Sequence, residues 1–347
     1  MYIRKILVAV ALLGLVAGGV FVYHIYTSIF TPNTAFQNEE AYIYVGTGDS
    51  FTDVKTQLAP LLKNLSSFEQ IARKKGYVSN IKAGRFGIRK GMNNNEIVNS
   101  IRSRNIPLTL TFNNQDRLAD LAGRISNQIE ADSLELIKSF TDGEFLKANN
   151  FDEHTALSMY IPNSYEFFWN TSADEFRDRM LKEYKRFWNE ERTEKARSLG
   201  LKPKEVITLA SIVQKETAMP DERPRVAGVY LNRLKKGMPL QADPTVIYAV
   251  KRQSGDFDQV IKRVLNRDLV VDSPYNTYRY SGLPPGPISM PDISSIDGVL
   301  NAENHDFYYF VADVNNYGYH KFAKTLSQHN RNANEYRDWI NKQGINR

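Results

Sequence analysis

Val206-Ile207-Thr208-Leu209-Ala210-Ser211-Ile212-Val213-Gln214-Lys215-Glu216-Thr217 reads as a helix with apolar residues at Val206, Leu209, Ala210 and Val213. Positions three and four apart share a helix face, so the same stripe continues onto Glu216 and Thr217. Charged groups are almost never fully buried without a partner. A carboxylate aimed along a core-facing stripe, at the end of its helix, is therefore a candidate for a cleft wall. Desolvation there raises its pKa and keeps it protonated near neutral pH, as a general acid requires. The competing reading is a rim glutamate paired with Lys215, Arg223 or Arg225.

Downstream the chain turns polar in an apolar setting. A short loop, residues 218–222, leads to a second helix opened by Pro224 and carrying Val226, Val229, Tyr230 and Leu234. Lys235, Lys236 and Gly237 end it in the usual C-terminal pattern. Two helices joined by so few residues pack closely, which puts Glu222 and Asn232 within reach of Glu216. Met238-Pro239-Leu240-Gln241-Ala242-Asp243-Pro244-Thr245-Val246-Ile247-Tyr248 follows. Then comes Pro274-Tyr275-Asn276-Thr277-Tyr278-Arg279-Tyr280-Ser281-Gly282-Leu283-Pro284-Pro285-Gly286-Pro287, a stiff loop with three tyrosines. Tyrosine stacks on the apolar faces of sugars, while its hydroxyl and nearby amides bond sugar hydroxyls. Composition alone equally describes a proline-rich surface loop packed on its own aromatics. Gln241, Asp243, Thr245, Tyr248, Tyr275, Asn276 and Tyr278 are the candidates for substrate contact, beside Glu222 and Asn232. Residues 306–312 read as a buried strand that Gly318-Tyr319-His320-Lys321-Phe322 pairs with before a terminal helix. His320 joins the candidates, although a lone histidine is more often structural.

Upstream, residues 41–104 look like a small α/β unit. Tyr42-Ile43-Tyr44-Val45 favours a strand, and Gly46-Thr47-Gly48-Asp49-Ser50 is a turn able to cap the next helix, with Val54, Leu58, Leu61 and Leu62 on one stripe. A second helix holds Phe68, Ile71 and Ala72, and residues 81–88 form a short returning strand. Asn93, Asn94 or Asn95 caps a helix through Ile97, Val98 and Ile101. In the connecting α/β region, residues 105–170, Leu108–Phe112 is a strand, helices follow at residues 118–129 and 133–140, and residues 159–169 form an aromatic, proline-containing loop. Residues 174–199 read as one long amphipathic helix. The last region, residues 171–347, carries the candidate site.

The N-terminus sets the compartment. After Met-Tyr-Ile-Arg-Lys, residues 6–26 contain no Asp, Glu, Lys or Arg. About 20 apolar residues are enough to cross a hydrocarbon core of about 30 Å as a helix. Arg4 and Lys5 precede the run and no Lys or Arg follows until Lys55, so the positive-inside rule leaves residues 1–5 in the cytoplasm and sends the remainder across the membrane. The small residues Ala17-Gly18-Gly19 leave a cleaved signal peptide open, but the apolar run continues through Val20, Phe21 and Val22. Residues 27–40, with Pro32, read as a linker. The 347 residues hold no cysteine, which excludes a lipoprotein anchor and a disulfide framework, and their 42% apolar share supplies an ordinary core. The net charge of +6 fits an anionic partner or surface. The extracytoplasmic placement argues against nucleic acid. There is no His-Glu-x-x-His, no Gly-x-Ser-x-Gly, and the five histidines are scattered, so a metalloenzyme or a serine hydrolase has little support and neither cofactor nor metal is expected.

Lys215-Glu216-Thr217, Asn232-Arg233-Leu234, the run from Gly237 to Tyr248, Tyr275-Asn276-Thr277-Tyr278 and Gly282-Leu283-Pro284-Pro285-Gly286-Pro287-Ile288 stand in one order along the chain. Together they resemble the YceG-like family of membrane-anchored endolytic murein transglycosylases. The likeness runs from the N-terminal helix to near the C-terminus. It departs at Ala302 and Met290, where proline and asparagine are expected, and around Leu108–Phe112. The resemblance implies an α+β fold: a transmembrane helix, a small LysM-like α/β subdomain at residues 41–104, and a mixed helical and strand catalytic domain. It implies that Glu216 is the catalytic residue of a peptidoglycan lytic transglycosylase at the cytoplasmic membrane, acting on nascent glycan beside peptidoglycan synthases. The bond cut is that between N-acetylmuramic acid and N-acetylglucosamine, leaving 1,6-anhydro ends. A hydrolytic muramidase using Asp243 or Glu222 as base remains an alternative, as does a non-catalytic peptidoglycan-binding scaffold. Glycan binding by the LysM-like unit and a plain spacer role both stay open.

Overall fold

In the computed structural model, which describes residues 2–343, the apolar N-terminal run is a single 29-residue helix, α1 (Tyr2–Phe30). At 1.5 Å per residue it is about 44 Å long. Its apolar side chains point outward on every side, with Leu7, Val16 and Phe21 all more than 60% exposed. That pattern suits lipid rather than a protein core, and by length and composition α1 can cross a membrane. The helix extends past the expected end at Tyr26, where Ile29 packs on the core of the first of two compact units into which the chain divides and the Ser28 carbonyl accepts from Asn94.

Unit 1 takes the chain up to Leu110, together with Gln128–Ala131 and Tyr165–Ser172. Strand β1 (Glu40–Val45) leads into α2 (Phe51–Leu58) and α3 (Leu65–Lys74), and β2 (Gly84–Arg89) returns antiparallel to β1, with Ile43 opposite Phe86. A fourth helix, α4 (Asn94–Ser103), follows, and Asn93 caps it by accepting from the Glu96 amide. Ser50 and Asp53 form the capping box that starts α2, at the turn the sequence marks. Ile43, Val45, Val54, Leu58, Phe68, Ile88, Ile97 and Ile101 close a common core.

Residues 31–35 are not a free tether. The Asn33 amide donates to the Met92 carbonyl, Lys63 N–H donates to the Asn33 carbonyl, and Ala35 N–H donates to the Leu61 carbonyl, at 2.9, 2.8 and 2.8 Å. The buried Asn33 side chain donates to Asn94 Oδ1 at 2.7 Å, and Asn94 Nδ2 donates to the Ser28 carbonyl at 2.7 Å. Helix α1 itself lies against α3 and α4. The anchor and unit 1 are thus joined by buried, paired amides.

Unit 2 holds Thr111–Asn127, Asp132–Ser164 and the chain from Ala173 onward. Strands β3 (Leu108–Phe112) and β4 (Asn163–Phe167) pair with each other, and the larger part of each, Leu108–Leu110 and Tyr165–Phe167, belongs to unit 1. β4 lies within the segment expected as an aromatic loop, whose alternating residues after Pro162 suffice for a strand once β3 offers a partner. Helices α5 (Leu118–Ser126), α6 (Ser133–Phe140) and α7 (Gly143–Ala148) separate these strands. The long helix expected over residues 174–199 is two helices, α8 (Ala173–Phe187) and α9 (Glu190–Ser198). Asn189 breaks it by accepting from the Arg192 amide as an N-cap.

Helix α10 (Pro203–Glu216) runs through the centre of unit 2, against α9, α11 (Arg223–Lys235), α12 (Asp243–Ser254) and α13 (Ile293–Leu300). Every residue from Val206 to Val213 is buried, so this helix is covered all round rather than on one stripe. β5 (Tyr309–Ala312) and β6 (His320–Ala323) form an antiparallel pair beside α14 (Leu326–Lys342). The expected buried strand at residues 306–312 is shorter and only half-buried, since a two-stranded sheet has one face to cover.

Candidate active site

α10 emerges from the core at its C-terminal end, and Glu216 is its last residue, half-buried. Thr208 and Ser211 direct their hydroxyls back onto the helix, so two polar residues in this core helix have partners. The three cations that might neutralise Glu216 at a rim are engaged elsewhere. Lys215 pairs with Asp116, Arg223 with Asp292, and Arg225 with Glu303. Glu216 instead accepts a 2.7 Å hydrogen bond on Oε1 from the hydroxyl of Tyr230 on α11.

Desolvation dominates its ionisation and pushes its pKa up to about 7. The Tyr230 bond works against this, the negative charge of Asp243 adds to it, and Arg233, with His320 when that ring is protonated, opposes it more weakly. The carbonyl end of α10 disfavours a negative charge as well. Tyr230 is itself buried, which holds its hydroxyl protonated and fixes it as the donor. This tyrosine reads from sequence as one more member of an apolar stripe. The signal was present, since a buried tyrosine hydroxyl needs a partner.

The expected contact residues fall into three groups. Around Glu216, Asp243 opens α12 and accepts from the Tyr278 hydroxyl at 2.6 Å. Gln241 is exposed, with a backbone φ of 51°, a left-handed conformation rare outside glycine. Its amide donates to the Thr277 carbonyl at 3.1 Å, and Arg233 donates to the Leu240 carbonyl at 2.7 Å, fixing the entry to α12. Glu222 and His320 bond each other, at 2.8 Å between carboxylate and Nδ1. A second group is aromatic. Tyr248 and Tyr275 pack with ring centroids 4.7 Å apart, Phe257 meets Tyr248 edge-on, and the Arg252 guanidinium lies 5.1 Å from the centre of the Tyr275 ring.

The third group is turned inward. Thr245 is fully buried and its hydroxyl meets that of Thr277 at 2.8 Å. The Asn276 amide donates to the carbonyls of Leu269 and Val271, and Asn232 donates to those of His305 and Phe307. These three side chains hold loops in place. The proline-rich loop closes on the opposite side, where Ile288 N–H donates to Ser211 on α10 at 3.1 Å. Gly286 lies so near the His154 carbonyl that a Cβ would stand 1.9 Å from that oxygen.

An apolar helix long enough to cross a membrane thus precedes an α+β body, in which helix α10 ends in a desolvated carboxylic acid. The chain belongs to the YceG-like family, whose sequence profile matches residues 43–335. It is 28% identical over 341 residues to an endolytic murein transglycosylase of Bacillus subtilis, covering 93% of this chain and 91% of that protein. A protein of the same name from Streptococcus pneumoniae is 29% identical, over 96% of this chain and 65% of its own greater length. Among solved structures, a putative yceG-like protein from Listeria monocytogenes superimposes with a TM-score of 0.55 at 29% identity, covering 85% of this chain and 99% of that one.

Proposed function

We propose that this protein is a membrane-anchored endolytic murein transglycosylase, with Glu216 as its single acid and base. The observation that carries this reading is a carboxyl group raised to about 7, held by Tyr230 and bonded to no cation. The names of its relatives in Bacillus and Streptococcus support the substrate. Glycosidases that hydrolyse generally need two carboxylates, one of them to activate water or attack the sugar. An intramolecular transfer needs one. Protonated Glu216 gives its proton to the oxygen linking N-acetylmuramic acid to N-acetylglucosamine, and the bond from that oxygen to muramyl C1 breaks. The muramyl C6 hydroxyl then closes on C1 while its proton passes to the Glu216 carboxylate. The product is a 1,6-anhydro end, and Glu216 is returned protonated.

In this reading Gln241, Asp243 and Tyr278 orient the sugar beside Glu216, Tyr248 and Tyr275 offer aromatic faces, and Thr245, Asn276 and Asn232 hold the loops that present them. The strand–helix–helix–strand order of unit 1 is LysM-like and a candidate to hold glycan. The positive-inside rule applied to Arg4 and Lys5 supports an α1 with its N-terminus in the cytoplasm, and with it action on nascent strands beside peptidoglycan synthases. The test is product mass from purified glycan strands. Anhydro-ended fragments are expected from the native protein and none from Glu216→Gln. Fragments heavier by one water would instead indicate a hydrolytic muramidase, with Asp243 as the base. Undiminished cleavage by Glu216→Gln would remove the assignment.

A further inference from the structure

Glu222 precedes α11 in the short loop after Glu216, and the acid–base step above makes no use of it. It is 4% exposed. Both carboxylate oxygens are taken by one residue across the unit: the His320 backbone N–H donates to Oε1 at 2.7 Å, and Nδ1 lies 2.8 Å from Oε2. The hydroxyl of Thr217, chain neighbour of Glu216, adds a further bond. Burial alone would favour the neutral acid, yet the His320 and Thr217 donors hold Glu222 below the ordinary carboxylate range. An ionised carboxylate only accepts, so Nδ1 carries a hydrogen.

The consequence falls on the other ring nitrogen. Nε2 lies on the far side of the imidazole from Glu222 and has no hydrogen-bond partner among the described residues, while the side chain keeps 15% of its surface open. The ring cannot turn freely. It stands edge-on to Phe310 at 5.1 Å, and Phe310 stands edge-on to Tyr230 at 5.9 Å, the tyrosine that bonds Glu216. His320 also lies close enough to Glu216 to bear on its ionisation. A buried carboxylate that fixes one imidazole nitrogen and leaves the other open is the arrangement by which histidine tautomers are set in catalytic and metal sites.

We propose that Glu222 is a positioning residue that locks His320 with its hydrogen on Nδ1 and presents Nε2 to the Glu216 cleft, to accept a hydrogen bond from a hydroxyl or acetamido N–H of the bound glycan. This rests on the assignment of Glu216 as a glycan-cleaving acid. Glu222→Gln keeps the shape of the side chain but sets an NH2 group against Nδ1, which must then accept, so the ring hydrogen moves to Nε2. In the full-length protein in detergent micelles, imidazole 15N NMR is expected to show the Nδ1–H form for the native chain and the Nε2–H form for Glu222→Gln. On glycan strands kcat/KM should fall about 10- to 100-fold, the range seen when a partner orienting a functional histidine is lost. His320→Gln should fall equally, and the double variant no further, because the two act as one unit. A persistent Nδ1–H signal in Glu222→Gln, native kcat/KM in either variant, or losses that multiply would overturn the proposal. Should Glu222→Gln fail to fold, His320→Gln leaves the backbone bond to Glu222 and decides by kcat/KM alone. The NMR readout needs no turnover, so active Glu216→Gln would defeat the catalytic assignment and leave the tautomer result standing.

Discussion

At the scale of the residue, the ionisation of Glu216 ties its proposed role to stability. Its folded pKa of about 7 lies above the ordinary 4.5. Between these values the native state holds a proton that the unfolded chain has lost, so stability falls as pH rises through that window. The difference corresponds to on the order of 3 kcal/mol, reduced by the solvent that still reaches the group. Glu216→Gln is therefore expected to unfold at higher temperature than the native protein at pH 8 and at nearly the same temperature below pH 4.5, by thermal melts of the full chain in detergent. The same ionisation predicts an alkaline limb, with kcat falling about tenfold per pH unit above about 7 in native protein. The carboxylate itself was legible, because a charged residue on an apolar stripe violates the pattern around it. Which of the nearby cations left it unpaired was not legible. That depended on Asp116, Asp292 and Glu303, which come from distant segments of sequence.

Elements were legible where local rules act alone. Ser50 and Pro203 mark helix starts by side-chain bonding or by a fixed φ and stand where the sequence places them, and Asn93 is the one of three adjacent asparagines that caps α4. The break between α8 and α9 was harder, since Phe187, Trp188 and their neighbours keep an uninterrupted apolar period while Asn189 caps a new helix. Likewise β4 owes its existence to β3. The inward turn of Thr245 and Asn276 came from the stitching of α12 to the tyrosine loop, a tertiary arrangement no local pattern encodes. In the proline-rich loop, Gly286 is a position where a single methyl has nowhere to go. Its neighbour is a backbone carbonyl rather than a flexible side chain. Gly286→Ala should cost about 1–3 kcal/mol through displacement of the loop from His154. Urea unfolding should show a lowered midpoint, and activity should fall with it as Tyr275 shifts.

For the whole molecule, the absence of native cysteine gives a direct test of topology. Tyr317 is 93% exposed and Tyr2 lies at the start of α1. In intact cells a membrane-impermeant maleimide should label Tyr317→Cys and spare Tyr2→Cys, and the reverse would invert the proposed orientation. The two-unit division was partly legible, as a small α/β segment ahead of the larger region. Its borders were not, because residues 128–131 and 165–172 return to unit 1 after the chain has entered unit 2.

The joint at Asn33 and Asn94 bears on how such an enzyme meets its polymer. A flexible tether of ten residues would let its cargo wander roughly 17 Å from the anchor. Here the segment after α1 is bonded to unit 1 through Met92, Leu61 and Lys63, with the Asn33–Asn94 pair beneath. With α1 in a bilayer, unit 1 would keep a constant aspect toward the lipid, as an instrument bolted to its mount rather than held on a leash. Its search would then be two-dimensional, a drift in the plane of the bilayer, with helix tilt as a means of changing height.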